Sequence, residues 1–275
     1  MDRAANAYDD PAAVGAWQRA AASRAGYLAG PTQRMLDLAG LQPDSRVLVV
    51  GGGTGEDALA VAERSGPDGQ IVVTDVSVAM TAMAAKALAG ARTACCVAAD
   101  AQALSFASQS FDAVVSRNAL MFVPDLARAL AEIRRVLRPG GRIAATVWSS
   151  SARNPRLADP LEAARRMGAR PGPGAVYRVA LRLGSAVRLR SALRAAKFSD
   201  VSVERWPVIA RYQRLEEAVA EAIDHAGTRE LLAMLPAGSE GRLRRSLLRR
   251  WTKLAGQDGA AVPGEQLIAS GRLIV

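Results

Sequence analysis

Between Arg46 and Asp75 the chain reads RVLVVGGGTGEDALAVAERSGPDGQIVVTD, a stretch that restricts the possible folds more than any other. Val47-Leu48-Val49-Val50 is a short apolar run of the kind that makes a strand buried on both faces. Gly51, Gly52, Gly53 and Gly55 follow, then a helical pattern through Ala58, Leu59, Val61 and Ala62. A second apolar run, Ile71-Val72-Val73, leads to an acid, Asp75. Strand, glycine turn, helix, strand and acid together describe a nucleotide-binding βαβ unit. Glycine takes positive φ and lets a ligand approach bare backbone. The helix N-terminus adds unpaired N–H groups and partial positive charge. An acid at the tip of the second strand can accept from both hydroxyls of a ribose.

The glycine spacing narrows the ligand. A dinucleotide fingerprint is G-x-G-x-x-G, whereas Gly51, Gly53 and Gly55 here are followed by Glu56. A carboxylate in the first helical turn would oppose a pyrophosphate. A ligand without phosphate fits better. The competing reading, a tight turn with no ligand, leaves four glycines and the terminal acid unexplained.

Three further runs extend the pattern. Asp75-Val76-Ser77-Val78-Ala79-Met80 follows the second strand, with Ser77 placed to N-cap a helix. Asp100-Ala101 ends a third strand and precedes Leu104, Phe106 and Ser110-Phe111-Asp112. Glu132 to Ile143, EIRRVLRPGGRI, closes a helix on a Pro/Gly stop before a fifth strand. Together these resemble class I S-adenosylmethionine-dependent methyltransferases of the small-molecule type, including the quinone and natural-product enzymes. The resemblance is strong over roughly residues 30–205.

That resemblance implies an α/β fold: a Rossmann-like, mostly parallel sheet of seven strands in the order 3-2-1-4-5-7-6, the last antiparallel, with a helical cap. It implies S-adenosyl-L-methionine as cofactor, held by Gly51, Gly52, Gly53, Thr54, Gly55, Asp75, Val76, Met80, Asp100, Ala101 and Asn118. Asp100 would accept from the adenine amino group, with Ala101 adding a backbone contact, and Val76 and Met80 would flank adenine and ribose. Ordinary helix core is the other reading of Met80. Asp112 is expected to be structural. The chain divides into an N-terminal helical lid over 1–40, a cofactor-binding core over 41–149, and helical cap insertions with the final strands over 150–275. Trp17 in the leading helices either covers the cofactor or only packs its helix onto the core.

Methyl transfer from a sulfonium is an in-line displacement, so the protein chiefly positions and desolvates, and a base is needed only if the nucleophile must lose a proton. The chain's single histidine, His225, is the candidate base, against a solvated helix end. Tyr8 and Asn118 are further catalytic candidates, and Tyr177 a weaker one. No metal site is expected. Two residues depart from the family pattern. Val49 stands where an acid usually organises the cofactor's ammonium end, and Lys197 stands where glycine usually ends a helix, so that turn is expected to differ in shape.

Composition closes several classes. Half the residues are apolar, no apolar run reaches transmembrane length, and the first residues carry no secretory pattern. The two cysteines, Cys95 and Cys96, are expected in a buried strand and offer no disulfide framework, which points to the cytoplasm. The net charge of +10 falls entirely within residues 151–275, since residues 1–150 hold 14 basic and 14 acidic side chains. Of the 36 basic residues 33 are arginine, and few aromatics accompany them, which disfavours a nucleic-acid methyltransferase and a base-stacking role. The expected function is methyl transfer to a small, mostly apolar metabolite, natural-product or quinone-like. A cyclase or pericyclase of the same fold that keeps the cofactor pocket without methylating is the alternative, and a silent partner subunit a third class. The oligomeric state is not legible.

Overall fold

A computed structural model describes residues 11–274. Helices α1 (Pro11–Arg19) and α2 (Ala21–Ala39) precede β1 (Arg46–Val50), α3 (Glu56–Ser65), β2 (Gln70–Asp75), α4 (Val78–Ala87) and β3 (Ala94–Ala98). There follow β4 (Phe111–Arg117), α5 (Leu126–Val136), β5 (Leu137–Trp148), α6 (Pro155–Arg166), α7 (Val176–Ala180), α8 (Ala186–Ala195) and β6 (Ser199–Tyr212). The chain ends with α9 (Leu215–Asp224), α10 (Ala226–Leu232), α11 (Ser239–Trp251), the two-residue β7 (Ala255–Gly256) and β8 (Gly259–Arg272).

The strands form one sheet in the order β3-β2-β1-β4-β5-β8-β6, with β7 paired only to β8. The first five pair in parallel, and β8 runs antiparallel to both β5 and β6. With β7 set aside, this is the expected order. The apolar run of β1 explains why the sheet is covered on both sides. Val47 and Val49 pack with Met35 and Leu36 of α2 and Val61 of α3, while Leu48 and Val50 pack with Leu130 and Ile133 of α5. Each such side chain, fully buried, contributes roughly 1.5–3 kcal/mol. A separate cap core joins Val219 and Ile223 of α9 to Leu243, Leu247 and Trp251 of α11.

The expectations for the two cysteines and for Lys197 change, and two breaks in the cap become visible. β3 is the free edge of the sheet, so Cys95 is exposed and Cys96 half-buried rather than enclosed. β6 remains paired to β8 as far as Tyr212↔Ala260, so residues 207–212 belong to the sheet and not to the cap. The helical stretch that begins at Ala226 is interrupted near Pro236, which has no N–H to donate, and restarts at Ser239. Lys197 takes φ +65, with Lys197 N–H donating to the Arg194 carbonyl at 2.9 Å and Phe198 N–H to that of Leu193 at 3.1 Å. That is the turn glycine ordinarily makes at a helix end, so the shape is kept and lysine carries its steric cost.

Candidate active site

The turn after β1 is pinned to the tip of β2. Gly51 and Gly52 N–H groups both donate to the Thr74 carbonyl, at 2.7 and 3.0 Å. Gly51 has φ +69, and a Cβ there would lie 2.1 Å from Cβ of Ala119, so the turn needs glycine for both conformation and space. The Gly53 N–H donates to Asp75 Oδ2 at 2.9 Å, and the Ser77 N–H to Asp75 Oδ1 at 2.9 Å. Each carboxylate oxygen of Asp75 is thereby oriented by a backbone donor, with acceptor capacity left. Ser77 also accepts from Met80 N–H and caps α4 as expected.

This turn forms one wall of a cavity of about 540 Å³. Every residue expected to hold the cofactor lines it except Gly55, which is buried beneath as the N-cap of α3. Met80 is 3% exposed, with its edge on the cavity, and Val76 is on the rim. At the far end the Asp100 carboxylate is turned by Gln102, whose N–H donates at 2.8 Å and whose side-chain amide donates at 3.0 Å. Asp112, as expected, is structural: it accepts from Arg46 N–H at 2.8 Å and Arg138 at 2.6 Å.

The cavity's other wall carries a charge cluster that the sequence did not announce. Glu56 accepts from Arg24 through both oxygens, from Arg117 Nη2 at 3.0 Å and from Thr54 Oγ1 at 3.0 Å. Burial works against the Glu56 charge, yet Arg24 and Arg117 more than offset it and hold its carboxyl below the usual range. Asp57 beside it is pushed upward by burial, which Arg117 offsets only partly. Arg24 stacks on Trp17 with its guanidinium carbon 3.8 Å from the ring centre, and donates to the Trp17 carbonyl at 2.9 Å. Trp17 therefore both covers the cavity and packs its helix. Val49, by contrast, is 0% exposed among Met35, Leu36 and Val73 and does not line the cavity.

A second cavity, of about 260 Å³, opens beyond the first, and Trp17, Arg24, Leu28, Asn118 and Phe122 line both. Its walls are largely apolar, from Met121, Trp148, Leu157, Val208, Ala210 and Val262. Asn154 is a structural clamp here. Its amide donates to Ser149, Ser150 and Glu265 at 3.1 Å, and its Oδ1 accepts from Glu265 N–H at 2.9 Å. Arg156 pairs with Glu221 and stacks over Tyr27 at 4.6 Å.

Of the catalytic candidates, Asn118 and His225 line this second cavity. Asn118 sits at φ +56 just past β4, and its Oδ1 accepts from the fully buried Gln266 at 3.0 Å, which leaves its N–H₂ as a donor. His225 joins α9 to α10, its Nδ1 accepting from Gly227 N–H at 3.1 Å and its ring stacked on Tyr177, with centres 4.9 Å apart. It is therefore not a solvated helix end. Burial, then Arg156 and Arg24, push its pKa down to about 3. The hydroxyl of Tyr177 is bound to Thr228 at 2.7 Å, so only its ring serves the cavity. Tyr8 lies outside the described residues. Among the described residues no set of three His, Cys, Asp or Glu side chains could hold a metal ion.

A family described as a methyltransferase domain matches residues 48–145. Those residues are similar to a methyltransferase domain, from within β1 to within β5. Ubiquinone/menaquinone biosynthesis C-methyltransferase UbiE of Bordetella parapertussis is 38% identical over 119 residues, which are 42% of this chain and 45% of that protein. The chain thus matches less than half the length of this relative. The YcgJ protein of Bacillus subtilis superposes with a TM-score of 0.62 at 19% identity, over 89% of this chain and 98% of that one. Phosphoethanolamine N-methyltransferase 2 of Haemonchus contortus, in complex with S-adenosyl-L-methionine, gives 0.56 at 18% identity, over 90% of this chain and 53% of that one. These likenesses show that the chain carries the fold of such structures. The residues that build the second cavity fall mostly outside the matched segment.

Proposed function

We propose that this chain binds S-adenosyl-L-methionine in the larger cavity and transfers its methyl group to a small, mostly apolar, quinone-like metabolite in the smaller one. The observation that carries this reading is the junction of the two cavities, where Trp17, Asn118 and Phe122 line both. A ligand in one cavity can meet a ligand in the other only there. The likeness to a quinone C-methyltransferase supports the quinone-like class, and a natural-product metabolite of similar character fits the same apolar walls.

The residues fit the cofactor. Gly51, Gly52, Gly53 and Thr54 present a bare turn, Asp75 a carboxylate already aimed by two amides, and Asp100 with Ala101 the far edge for an adenine. Met80 and Val76 supply apolar contact between them. Glu56, Arg24 and Arg117 are the charged groups on the remaining wall, and they would face the amino-acid end in place of the acid that Val49 removes. When bound, the cofactor supplies an electrophilic methyl on a sulfonium. The chain's own part is to hold the acceptor in line through Asn118 and the apolar walls, and to exclude water with residues 11–40 as a lid. No helix among the described residues is long and apolar enough to cross a membrane. We place the reaction in the cytoplasm, on the two unpaired cysteines.

Calorimetry with S-adenosyl-L-methionine tests the cofactor site, and absence of binding at millimolar cofactor would overturn it. Mass spectrometry of a quinol incubated with enzyme and cofactor should show a gain of one CH₂. A product of unchanged mass would point instead to a cyclising enzyme of this fold.

A further inference from the structure

We infer that His225 serves the smaller cavity as a neutral Nε2–H donor and not as a base, and that the ligand of that cavity presents an ionised oxygen, a phenolate or enolate. The inference rests on the methyl-transfer reading only for taking this cavity as the acceptor's. Its grounds are geometric. A backbone N–H can only donate, so Nδ1 of His225, which receives the Gly227 N–H at 3.1 Å, must present a lone pair. In the neutral ring the proton is then on Nε2. That atom has no partner among the described residues and is not sealed from the cavity that His225 lines.

The ring cannot easily turn to change this. It stacks on Tyr177 with an interplanar angle of 11°. Tyr177 is held through its hydroxyl by Thr228 at 2.7 Å, and Thr228 donates to the Ala222 carbonyl at 2.5 Å. The charges that face His225 disfavour a second proton. Arg156 from α6 and Arg24 from α2 both oppose it. The two α9 carboxylates that line this cavity are already engaged, Glu221 by Arg156 and Asp224 by Arg229 at 2.6 Å. Asn118, which also lines this cavity, adds a second donor, because Gln266 occupies its oxygen.

His225 and Asn118 therefore both offer N–H donors to a ligand, and Glu221 and Asp224 of the same cavity are bound to arginines. Such a lining matches an oxygen carrying negative charge. No free base is available there to receive an O–H proton, so the acceptor enters already ionised, its O–H bond having broken in bulk water with the electron pair left on oxygen and the proton passed to water. The oxygen then stays ionised beside His225, and its negative charge raises the nucleophilicity of the conjugated carbon. One hydrogen bond to a charged oxygen changes affinity by about tenfold to a hundredfold.

The chain's single histidine makes the tautomer directly readable. Protein carrying ¹⁵N only in histidine should show Nδ1 as the unprotonated nitrogen and Nε2 as the protonated one, unchanged between about pH 8 and about pH 5. The opposite tautomer, or an imidazolium at neutral pH, overturns the inference, and neither result depends on cofactor. The second arm uses 4-nitrophenol as probe, titrated at a pH where it is ionised onto protein holding S-adenosylhomocysteine. His225→Phe should weaken its binding about tenfold or more, while His225→Gln, which restores an N–H, recovers most of the loss. Circular dichroism checks that both variants are folded. Equal binding by wild type and His225→Phe rejects the donor role. Failure of S-adenosylhomocysteine to bind would sink the methyl-transfer reading and leave the tautomer result standing.

Discussion

At Gly51 a single methyl group decides whether the cofactor turn can form. Alanine there would combine a left-handed backbone, φ +69, with a Cβ only 2.1 Å from that of Ala119. The steric cost of left-handed φ, about 1–2 kcal/mol, adds to overpacking of about 1–3 kcal/mol. Gly51→Ala should lower unfolding free energy in urea by about 3 kcal/mol and abolish cofactor binding in calorimetry. Ala119→Gly in the same chain should recover part of the stability, because it removes the clash but not the strain. Lys197 gives the reverse case. Its φ of +65 ends α8 in the conformation glycine prefers, and nothing in the site depends on it. Lys197→Gly should raise stability by about 1 kcal/mol, read as a higher Tm, with cofactor affinity unchanged. A lower Tm would mean that the lysine side chain makes a compensating contact.

Between elements, the decisive tie is that of α2 to α3. Arg24 is 5% exposed in its side chain and Glu56 19%, and the pair joins the covering helix to the helix that begins at the glycine turn. Removing one partner of a buried pair costs about 3–5 kcal/mol where it leaves a bare charge. Arg117 still reaches Glu56, so Arg24→Met should sit at the low end, about 3 kcal/mol. Amide exchange should speed up over residues 11–30, and cofactor affinity should fall. Unchanged exchange there would show that α2 is held by its apolar contacts alone. The same tie explains what the sequence could and could not disclose. The βαβ unit was legible because Val47 to Asp75 carries its own turn, caps and terminal acid within one contiguous stretch. Glu56 was read only as an obstacle to pyrophosphate, since its partners lie 32 and 61 residues away and no periodicity marks them. Asn118 was chosen by position, but Gln266, which fixes its amide from 148 residues away, left no signal. Pro207 concealed the length of β6. It ends most strands, yet β6 is the sheet's other edge, where a missing N–H is tolerated.

The whole molecule carries its +10 charge with many of its arginines paired to carboxylates, and His225 is the group whose proton links folding to pH near neutrality. In the folded chain His225 is pushed down to about 3 by burial and by Arg156 and Arg24, against an ordinary value of 6.5. Between those values the unfolded chain binds the proton and the folded chain does not. Stability from this group is therefore complete above about 6.5 and is lost as pH falls toward 3, by up to about 1.4 kcal/mol for each pH unit. Carboxylates add their own titrations below about pH 5, so the informative window is about 6.5 down to 5. There the wild type should lose unfolding free energy more steeply than His225→Phe, which has no proton to take up. Parallel slopes would show that the ring is charged, or reachable by water, in the folded chain. A ring charged at such a pH would contradict the neutral Nε2–H form, because an imidazolium has no lone pair to receive the Gly227 N–H. Acid stability of the whole fold and hydrogen-bond polarity at one ring thus answer to a single protonation state.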